Sequence, residues 1–418
     1  MIARVSPDTH RVGAGLFGGR RSRIARALAA AARLAACGRA ADPLPPYPTA
    51  IPRTPIRVDG PPCAIVEWVP LHDTRLMCFE LLLDDVPRPE AAPTVGGIAA
   101  APDGTLYLLY TAAGEVRALR DIDGHNFPAA PETVARGLAL PSALALHEGA
   151  LFVAGPGGIT RLDDTDADGV FETQVALVDA LPYDTGFWPG AIAVGPDERL
   201  YVAVGGDCLR CEGEGARPGR LLSYALDGSD EQAVATGFYR PGGLAWHPDS
   251  GELWLVDGGG PDAPAELNRI LPGADYGFPG CTADAPDAPE CAGAEPPAAL
   301  LPAQSGPAAL AFYASDGFAL WQGDLLVALG GSSTLPEPSG YALVALDFAG
   351  DDPTGAADAV VPSSAPPVQF RSLAAVSLGG RGFFPQHPVG VAVTPGGSIV
   401  IATQEGRVFR VRPRTSSW

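Results

Sequence analysis

One pattern, written six times along the 418-residue chain, limits the possible folds more than any other feature. Each copy has a small entry segment, an apolar strand, a turn and a second apolar strand, and a third strand usually follows. Repeats of about 50 residues with three or four strands each are typical of propeller blades. The sequence therefore predicts an all-β, six-bladed β-propeller, whose inner strands carry the aliphatic residues Ile98, Leu144, Ile192, Leu244, Leu310 and Val391.

The turns and the ends of the repeat region fit this architecture. β-Turn residues join the first and second strands in several copies, at Pro102-Asp103-Gly104, Pro196-Asp197 and Pro395-Gly396-Gly397. The sixth copy runs out of chain at its third strand, so we expect Phe79–Asp84 to supply the fourth and to close the ring, which removes two exposed sheet edges. The long gaps at 282–304 and 349–369 are predicted surface insertions.

Composition and charge exclude several classes of protein. The 52 glycines and 44 prolines rule out a helical bundle or a coiled coil, because both residue types break helices. The net charge is −20, and a body this acidic repels phosphate backbones, which argues against nucleic-acid binding. No run of 18 apolar residues is present, so no transmembrane helix is predicted.

The basic N-terminus resembles an export signal. Residues 1–40 hold eight arginines and one acid, and an alanine-rich stretch ends in Leu34-Ala35-Ala36-Cys37, which matches a bacterial lipobox. We predict export to the periplasm or cell surface, with a lipid anchor at Cys37 as the one membrane attachment. A basic leader or an over-extended gene start is the alternative, because arginines interrupt the apolar stretch. The predicted parts are a signal over 1–40, a proline-rich tether over 41–62, the propeller over 63–412 and a tail over 413–418.

Six further cysteines fall into three local pairs, as a compartment that permits disulfides would allow. We predict the bonds Cys63–Cys78, Cys208–Cys211 and Cys281–Cys291. Cys208 and Cys211 could also be half of a zinc site. No second CxxC or nearby histidine completes such a site, which favours the disulfide.

Propellers bind ligands over the channel, on the face formed by the loops that enter the inner strands and by those between the second and third strands. The entering loops bring to this face Phe187, Trp188, Tyr239, Arg240, Gln304, Ser305, Gln386 and His387. The other loops add Asp207, Asp257 and 330–334. We predict that the catalytic residues are His387 and Arg240, and that the contacts of a substrate or cofactor include Trp188, Tyr239, Asp207, Asp257 and Gln304. His387 as an ordinary turn residue, and Arg240 as an ion-pair partner of Asp257, are the alternatives.

Several motifs, in order over about residues 90–412, resemble the PQQ-dependent glucose/sorbosone dehydrogenase family. The longest is Thr236–Pro248, which reads TGFYRPGGLAWHP. It continues through segments that read GELW, ELNRI and GADYGFP, at 251–254, 266–270 and 273–279. Further matches are GPD at 195–197, CLRC at 208–211, GDLLVA at 323–328 and PVGVAV at 388–393.

The resemblance implies quinone-dependent oxidation of a sugar or a related alcohol. In the family, a base takes a proton from the sugar hydroxyl, hydride passes to PQQ, calcium polarises the cofactor, and basic residues hold its carboxylates. This chain departs from the family at most of those positions, where a histidine or arginine is replaced by Phe187, Tyr239, Gln304, Gly330 or His387. Phe187, in the place of the family's base, cannot accept a proton. Turnover would therefore need another base, for which His387 is the candidate.

Two segments are candidate calcium sites. Asp164, Asp166 and Asp168 alternate before a glycine, as in the first half of a calcium-binding loop. Val175 stands where such a loop has its last glutamate, so a solvated acidic hairpin is the alternative. The second candidate, Glu266, lies with Asn268 in the segment that matches the family near its calcium.

Three functions remain in competition. The first is the family's sugar oxidation, with His387 as proton acceptor and Arg240 holding a cofactor carboxylate or a sugar oxygen. The second is a propeller without catalysis that binds a carbohydrate or a protein. The third, a metal-dependent lactonase, would need a cluster of Glu, Asn and Asp facing the channel, for which Asp207 and Asp257 are the candidates. The sequence favours no particular oligomeric state.

Overall fold

In the computed structural model, the described residues are 77–84, 95–120, 130–181, 189–206, 219–259, 263–283, 285–331, 339–361 and 386–413. They lie in the unit Ile56–Trp418 and form six four-stranded antiparallel sheets. The predicted export signal, Cys37 and the tether lie outside them. The part of the chain that is described holds no helix long and apolar enough to cross a membrane.

Each sheet is one blade, and the first strand of the chain belongs to the last blade. That strand is β1 (Met77–Asp84). Blade 1 has β2 (Val95–Ala100), β3 (Leu106–Tyr110), β4 (Glu115–Leu119) and β5 (Glu132–Ala135). Blade 2 has β6 (Ala143–His147), β7 (Ala150–Gly155), β8 (Gly158–Asp163) and β9 (Thr173–Val178). Blade 3 has β10 (Pro189–Val194), β11 (Arg199–Val204), β12 (Gly219–Ala225) and β13 (Gln232–Phe238).

The remaining blades follow the same order from the inner to the outer strand. Blade 4 has β14 (Pro241–Trp246), β15 (Leu253–Asp257), β16 (Ala265–Arg269) and β17 (Ala299–Leu301), with a 3-10 helix at Pro289–Cys291. Blade 5 has β18 (Pro307–Phe312), β19 (Leu325–Leu329), β20 (Ala342–Ala349) and β21 (Asp352–Val361). Blade 6 has β22 (Pro388–Val393), β23 (Ile399–Thr403) and β24 (Arg407–Pro413), and β1 is its fourth strand.

The predicted six-bladed propeller and its closure by the N-terminal strand are both confirmed. β1 pairs antiparallel with β24, with Phe79 opposite Val411 and Leu81 opposite Phe409. The Phe79 and Phe409 rings stack with centroids 5.2 Å apart. β24 extends to Pro413, one residue into the predicted tail.

The two predicted insertions are wrong in part, because each contains the fourth strand of a blade. β17 lies within 282–304, and β21 lies within 349–369. β21 pairs with β20 through backbone hydrogen bonds. Its sequence, DPTGAADAVV, lacks the apolar alternation that marks the inner strands. An outermost strand needs few buried side chains, so apolar pattern does not reveal it.

Neighbouring blades are held together by apolar clusters, each built from two sheets. One cluster joins Trp254 and Leu267 of blade 4 to Leu325 and Val344 of blade 5. Another joins Leu106 of blade 1 to strands of blade 6 and so seals the ring. The middle strands are buried on both faces, which explains their continuous apolar sequences.

The predicted Cys281–Cys291 disulfide is confirmed, with its Cα atoms 4.6 Å apart. Cys78 is also disulfide-bonded, to a cysteine outside the described residues, so its predicted pairing with Cys63 stays a prediction. The predicted Cys208–Cys211 bond lies outside the described residues altogether.

Candidate functional site

Among the predicted residues of the channel-mouth face, the structure describes Tyr239, Arg240, Asp257, Gln304, Ser305, Gln386, His387 and 330–331. Phe187, Trp188 and Asp207 lie outside the described residues. Two groups of side chains are built around Asp257 and His387. The first, here called the acid cluster, is Asp257, Glu266 and Asn268 in blade 4. The second, the histidine cluster, lies between blades 5 and 6 and is Tyr341, His387 and Glu405.

Strand register builds the acid cluster. Asp257 at the end of β15 pairs with Glu266 of β16, so their side chains share one face of the sheet. Asn268 is two residues further along β16 and therefore lies on that same face. Its Nδ2 donates to Glu266 Oε2 at 3.3 Å, while its Oδ1 is buried with no hydrogen-bond donor.

Asp257 holds the loop that enters the inner strand β14. Its Oδ2 accepts from the backbone N–H of Tyr239 at 2.7 Å, and its Oδ1 from that of Arg240 at 2.5 Å. The side chain is buried, with 4 % of its surface exposed. The predicted ion-pair alternative therefore takes another form, in which Asp257 binds the backbone at Arg240. The Asp257 side chain therefore shapes the channel mouth by fixing this loop.

Both acids of the cluster hold their protons to unusually high pH. Burial raises the pKa of Asp257 to about 8, and the nearby charge of Glu266 contributes, against the stabilising backbone N–H groups. Burial raises the pKa of Glu266 to about 7, and the hydrogen bond from Asn268 opposes this. A cation beside these oxygens would stabilise both in their ionised forms, and the unpartnered Asn268 Oδ1 is a further hard ligand.

Arg240 and Tyr239 line the mouth beside the acid cluster. Arg240 is exposed, whereas Tyr239 is half-buried and its ring lies 5.2 Å from that of Phe278. Burial raises the pKa of Tyr239, and the positive charge of Arg240 opposes that shift. This part of the face thus combines a cation with an aromatic wall, which suits a planar anion or a sugar ring.

In the histidine cluster, the Glu405 carboxylate contacts His387 at two points. Glu405 Oε1 lies 2.6 Å from His387 Nδ1, and Glu405 Oε2 accepts from the His387 backbone N–H at 3.0 Å. The imidazole ring lies 5.2 Å from the ring of Tyr341. Sequence reasoning missed Glu405, although it lies between β23 and β24, in a loop of the same face.

Strained backbone surrounds this cluster. Gln304 and Tyr341 both have positive φ, 55° and 58°, which a tyrosine rarely adopts. The Ser305 hydroxyl is buried with no hydrogen-bond partner, and the Ser305 carbonyl accepts from Gly331 N at 2.7 Å. Strained residues and unpaired polar groups concentrate at functional sites, which favours this region as one.

His387 and Arg240 are not brought together. They precede the inner strands of blades 6 and 4, and blade 5 lies between them. They would therefore meet different parts of one ligand at the channel mouth.

The predicted aspartate loop lies away from this face, between the outer strands of blade 2. Asp164, Asp166, Asp168 and Glu172 each offer a carboxylate oxygen, and these oxygens lie within 4.8 Å of one another. Asp164 Oδ1 has no donor, whereas Asp164 Oδ2 accepts from Gly169 N at 2.8 Å. Arg120 donates to the Gly169 carbonyl at 2.8 Å, so a cation already borders the loop.

Comparisons with known proteins agree with this architecture. Residues 159–335, from blade 2 to the loop after β19 in blade 5, match the sequence model of the family described as Glucose / Sorbosone dehydrogenase. A search of curated proteins found no match.

Three solved structures share the fold at low sequence identity. The PQQ-bound aldose sugar dehydrogenase from Streptomyces coelicolor is 16 % identical, with a TM-score of 0.56 over 81 % of this chain and 98 % of that one. The apo soluble aldose sugar dehydrogenase from Escherichia coli is 18 % identical, with a TM-score of 0.58 over 81 % and 100 %. The calcium structure of a Trichoderma reesei family AA12 carbohydrate-active enzyme is 16 % identical, with a TM-score of 0.65 over 87 % and 100 %.

The family match covers blades 3 and 4 and parts of blades 2 and 5, and the shared fold extends further around the propeller. The resemblance predicted from the motifs is therefore confirmed: part of the chain matches the family's sequence model, and solved sugar dehydrogenases share its six-bladed fold.

Proposed function

We propose that this protein is a quinone-dependent dehydrogenase of a sugar or related alcohol in which His387 has taken over the role of proton acceptor. The observation that carries the proposal is the His387–Glu405 pair at the channel mouth. An imidazole held there by a carboxylate supplies the base that Phe187 cannot provide. The likeness to sugar dehydrogenases supports the substrate class.

The described residues fit calcium and one part of a quinone. Glu266 and the unpartnered Asn268 Oδ1 would hold calcium, because both offer hard oxygens in a buried acidic setting. Arg240, beside the Tyr239 ring, would hold a carboxylate of PQQ. When bound, the quinone would accept the hydride that leaves the substrate carbon and, with it, the two electrons of the oxidation.

The chain's own residues would accept the substrate proton, hold the loop at the channel mouth and contact the sugar ring. His387 accepts the hydroxyl proton of the substrate. Asp257 keeps the Tyr239–Arg240 loop in place through its two backbone hydrogen bonds. The aromatic pair Tyr239 and Phe278 offers an apolar wall against which a sugar ring can pack.

A second candidate function is binding of a carbohydrate without catalysis. It is favoured by the uncharged residues at three family positions for histidine or arginine, namely Tyr239, Gln304 and Gly330. With so few cations there, a cofactor with three carboxylates would be held weakly.

Titration with PQQ and calcium, followed by an aldose panel with an artificial electron acceptor, separates the two functions. We expect quinone-dependent turnover that falls roughly 10²-fold or more in His387→Ala, the usual contribution of a general base. The matched control is His147→Ala, because His147 lies at the far end of an inner strand. Turnover that survives His387→Ala would refute the assigned base. Absence of turnover would contradict the enzyme and favour binding, with the ligand lost in Arg240→Ala.

We also propose that the protein works outside the cytoplasm. The bonded cysteines Cys78, Cys281 and Cys291 support this, because structural disulfides persist in oxidising compartments. The lipobox at Cys37 would then anchor it to the membrane.

A further inference from the structure

We propose that Glu405 is a positioning residue that fixes the tautomer and orientation of His387, so that Nε2 is the nitrogen that accepts a proton. The proposal rests on the proposed function for its catalytic part. Its structural part, the identity of the protonated nitrogen, stands on geometry alone.

The geometry sets where the hydrogen lies on the imidazole. A carboxylate can only accept hydrogen bonds, and Glu405 Oε1 is 2.6 Å from His387 Nδ1. Nδ1 must therefore carry a hydrogen and donate it. In the neutral ring the lone pair then belongs to Nε2. A third of the side chain, 34 %, is exposed, and the edge turned away from Glu405 is the one that carries Nε2.

Further hydrogen bonds from the backbone hold His387 and Glu405 in place. Glu405 Oε2 also accepts from the His387 backbone N–H at 3.0 Å, and Gln404 N donates to the His387 carbonyl at 2.8 Å. The turn that carries Glu405 is closed by Gly406 N, which donates to the Thr403 carbonyl at 3.0 Å, and by Arg407 N, which donates to Thr403 Oγ1 at 3.2 Å. A carboxylate fixed in this way restrains the ring as well as its tautomer.

The third wall of the cluster is Tyr341. It is buried, its backbone is held at positive φ, and its ring lies against the imidazole. Within the described part of the chain, Glu405 is the one charged side chain bonded to His387. The pair is therefore a self-contained unit, and changing Glu405 tests it directly.

The chain offers a matched control. His147 Nε2 lies 3.1 Å from Glu198 Oε2, which is a second histidine–glutamate pair, remote from the channel mouth and joined through the other ring nitrogen. Glu198→Gln should change neither turnover nor the state of His387.

The experiment compares Glu405→Gln, Glu405→Asp and Glu198→Gln in the full chain, loaded with PQQ and calcium. The side-chain amide introduced by Glu405→Gln would donate to Nδ1 and favour the hydrogen on Nε2, the wrong tautomer for a base. We expect kcat to fall at least about tenfold in Glu405→Gln with KM nearly unchanged, because the substrate still binds. Glu405→Asp should recover part of the rate, and Glu198→Gln should match the parent.

Nitrogen-15 NMR of the histidine rings gives a readout that needs no activity. We expect His387 in the parent to carry its hydrogen on Nδ1, and Glu405→Gln to move it towards Nε2. If the parent shows this NMR behaviour but no turnover, the proposed function is wrong and the positioning role of Glu405 is supported. An unchanged tautomer in Glu405→Gln overturns the proposal, even if the rate falls, because Glu405 would then only brace the loop.

Discussion

At the scale of single residues, the acid cluster couples stability to pH. The folded chain binds protons at Asp257 and Glu266 up to about pH 8 and 7, whereas the unfolded chain releases them near pH 4. The folded state therefore binds more protons between these limits, and its stability falls as the pH rises through this window. We expect the melting temperature of the calcium-free protein to fall between pH 5 and 8, and to fall less in Glu266→Gln.

Melting curves at several pH values in the presence of chelator check this. Glu132→Gln is the control, because the Glu132 side chain is largely exposed and its removal should leave the slope unchanged. Calcium added at pH 8 should raise the melting temperature more in the parent than in Glu266→Gln. If the melting temperature changed with pH equally in the parent and in Glu266→Gln, this would contradict the raised pKa of Glu266.

The aspartate loop of blade 2 makes a separate prediction about metal. If Asp164, Asp166 and Asp168 bind calcium, chelation should lower the melting temperature, and Asp166→Ala should abolish the part that this loop contributes. The double variant with Glu266→Gln tells the two sites apart. A chelator response identical in the parent and in Asp166→Ala would leave the loop as a solvated acidic hairpin.

The sequence could place His387 and Arg240 in loops of one face, because topology alone determines which loops meet there. It could not find Glu405, since an acid in a turn has no distinctive spacing and only the folded loop shows that it reaches His387. It likewise could not foresee that Asp257 binds the backbone of Tyr239 and Arg240, because an aspartate at a strand end has many possible partners.

At the scale of elements, glycines let the inner strands pack around the channel. A Cβ on Gly242 of β14 would overlap the carbonyl oxygen of Pro307 in β18, and one on Gly190 of β10 would overlap that of Pro241. These carbonyl groups belong to strands that are hydrogen-bonded within their own sheets, so they cannot move aside as a side chain can. This explains the small residues at the start of each repeat.

Gly242→Ala should therefore destabilise the propeller by about 1–3 kcal/mol, the usual cost of overpacking. The control is Gly157→Ala, where a Cβ would meet no atom within 4 Å. That variant should be neutral or slightly more stable, because alanine restricts the unfolded chain. Urea denaturation of both variants measures this difference. Equal midpoint urea concentrations would show that the blades can shift to admit a methyl group.

The same packing explains how much of the fold was predictable. Inner and middle strands are enclosed by neighbouring blades, so their apolar pattern is strong and the six repeats can be counted from the sequence. Of the outer strands, β17 has only three residues and β21 lacks an apolar alternation, so neither can be recognised from the sequence.

At the scale of the whole molecule, the ring is closed by one strand that is more than 300 residues away from its partner in sequence. The closure includes a buried charge network. Glu80 of β1 accepts from Arg410 Nε at 2.8 Å through one oxygen and from Arg412 Nε at 3.0 Å through the other. Glu80 has 1 % of its surface exposed, so solvent screens this network little.

Glu80→Gln tests the closure. It keeps the shape of the side chain but removes the negative charge between two arginines, and breaking a buried ion pair in this way costs about 3–5 kcal/mol. Because the apolar cluster between blades 6 and 1 depends on β1, we expect the whole propeller to unfold at a lower temperature. Glu132→Gln, which removes an exposed ion pair with Arg120, should cost less than about 1 kcal/mol. Equal losses in the two variants would mean that the Glu80 charge network contributes little to the stability of the ring.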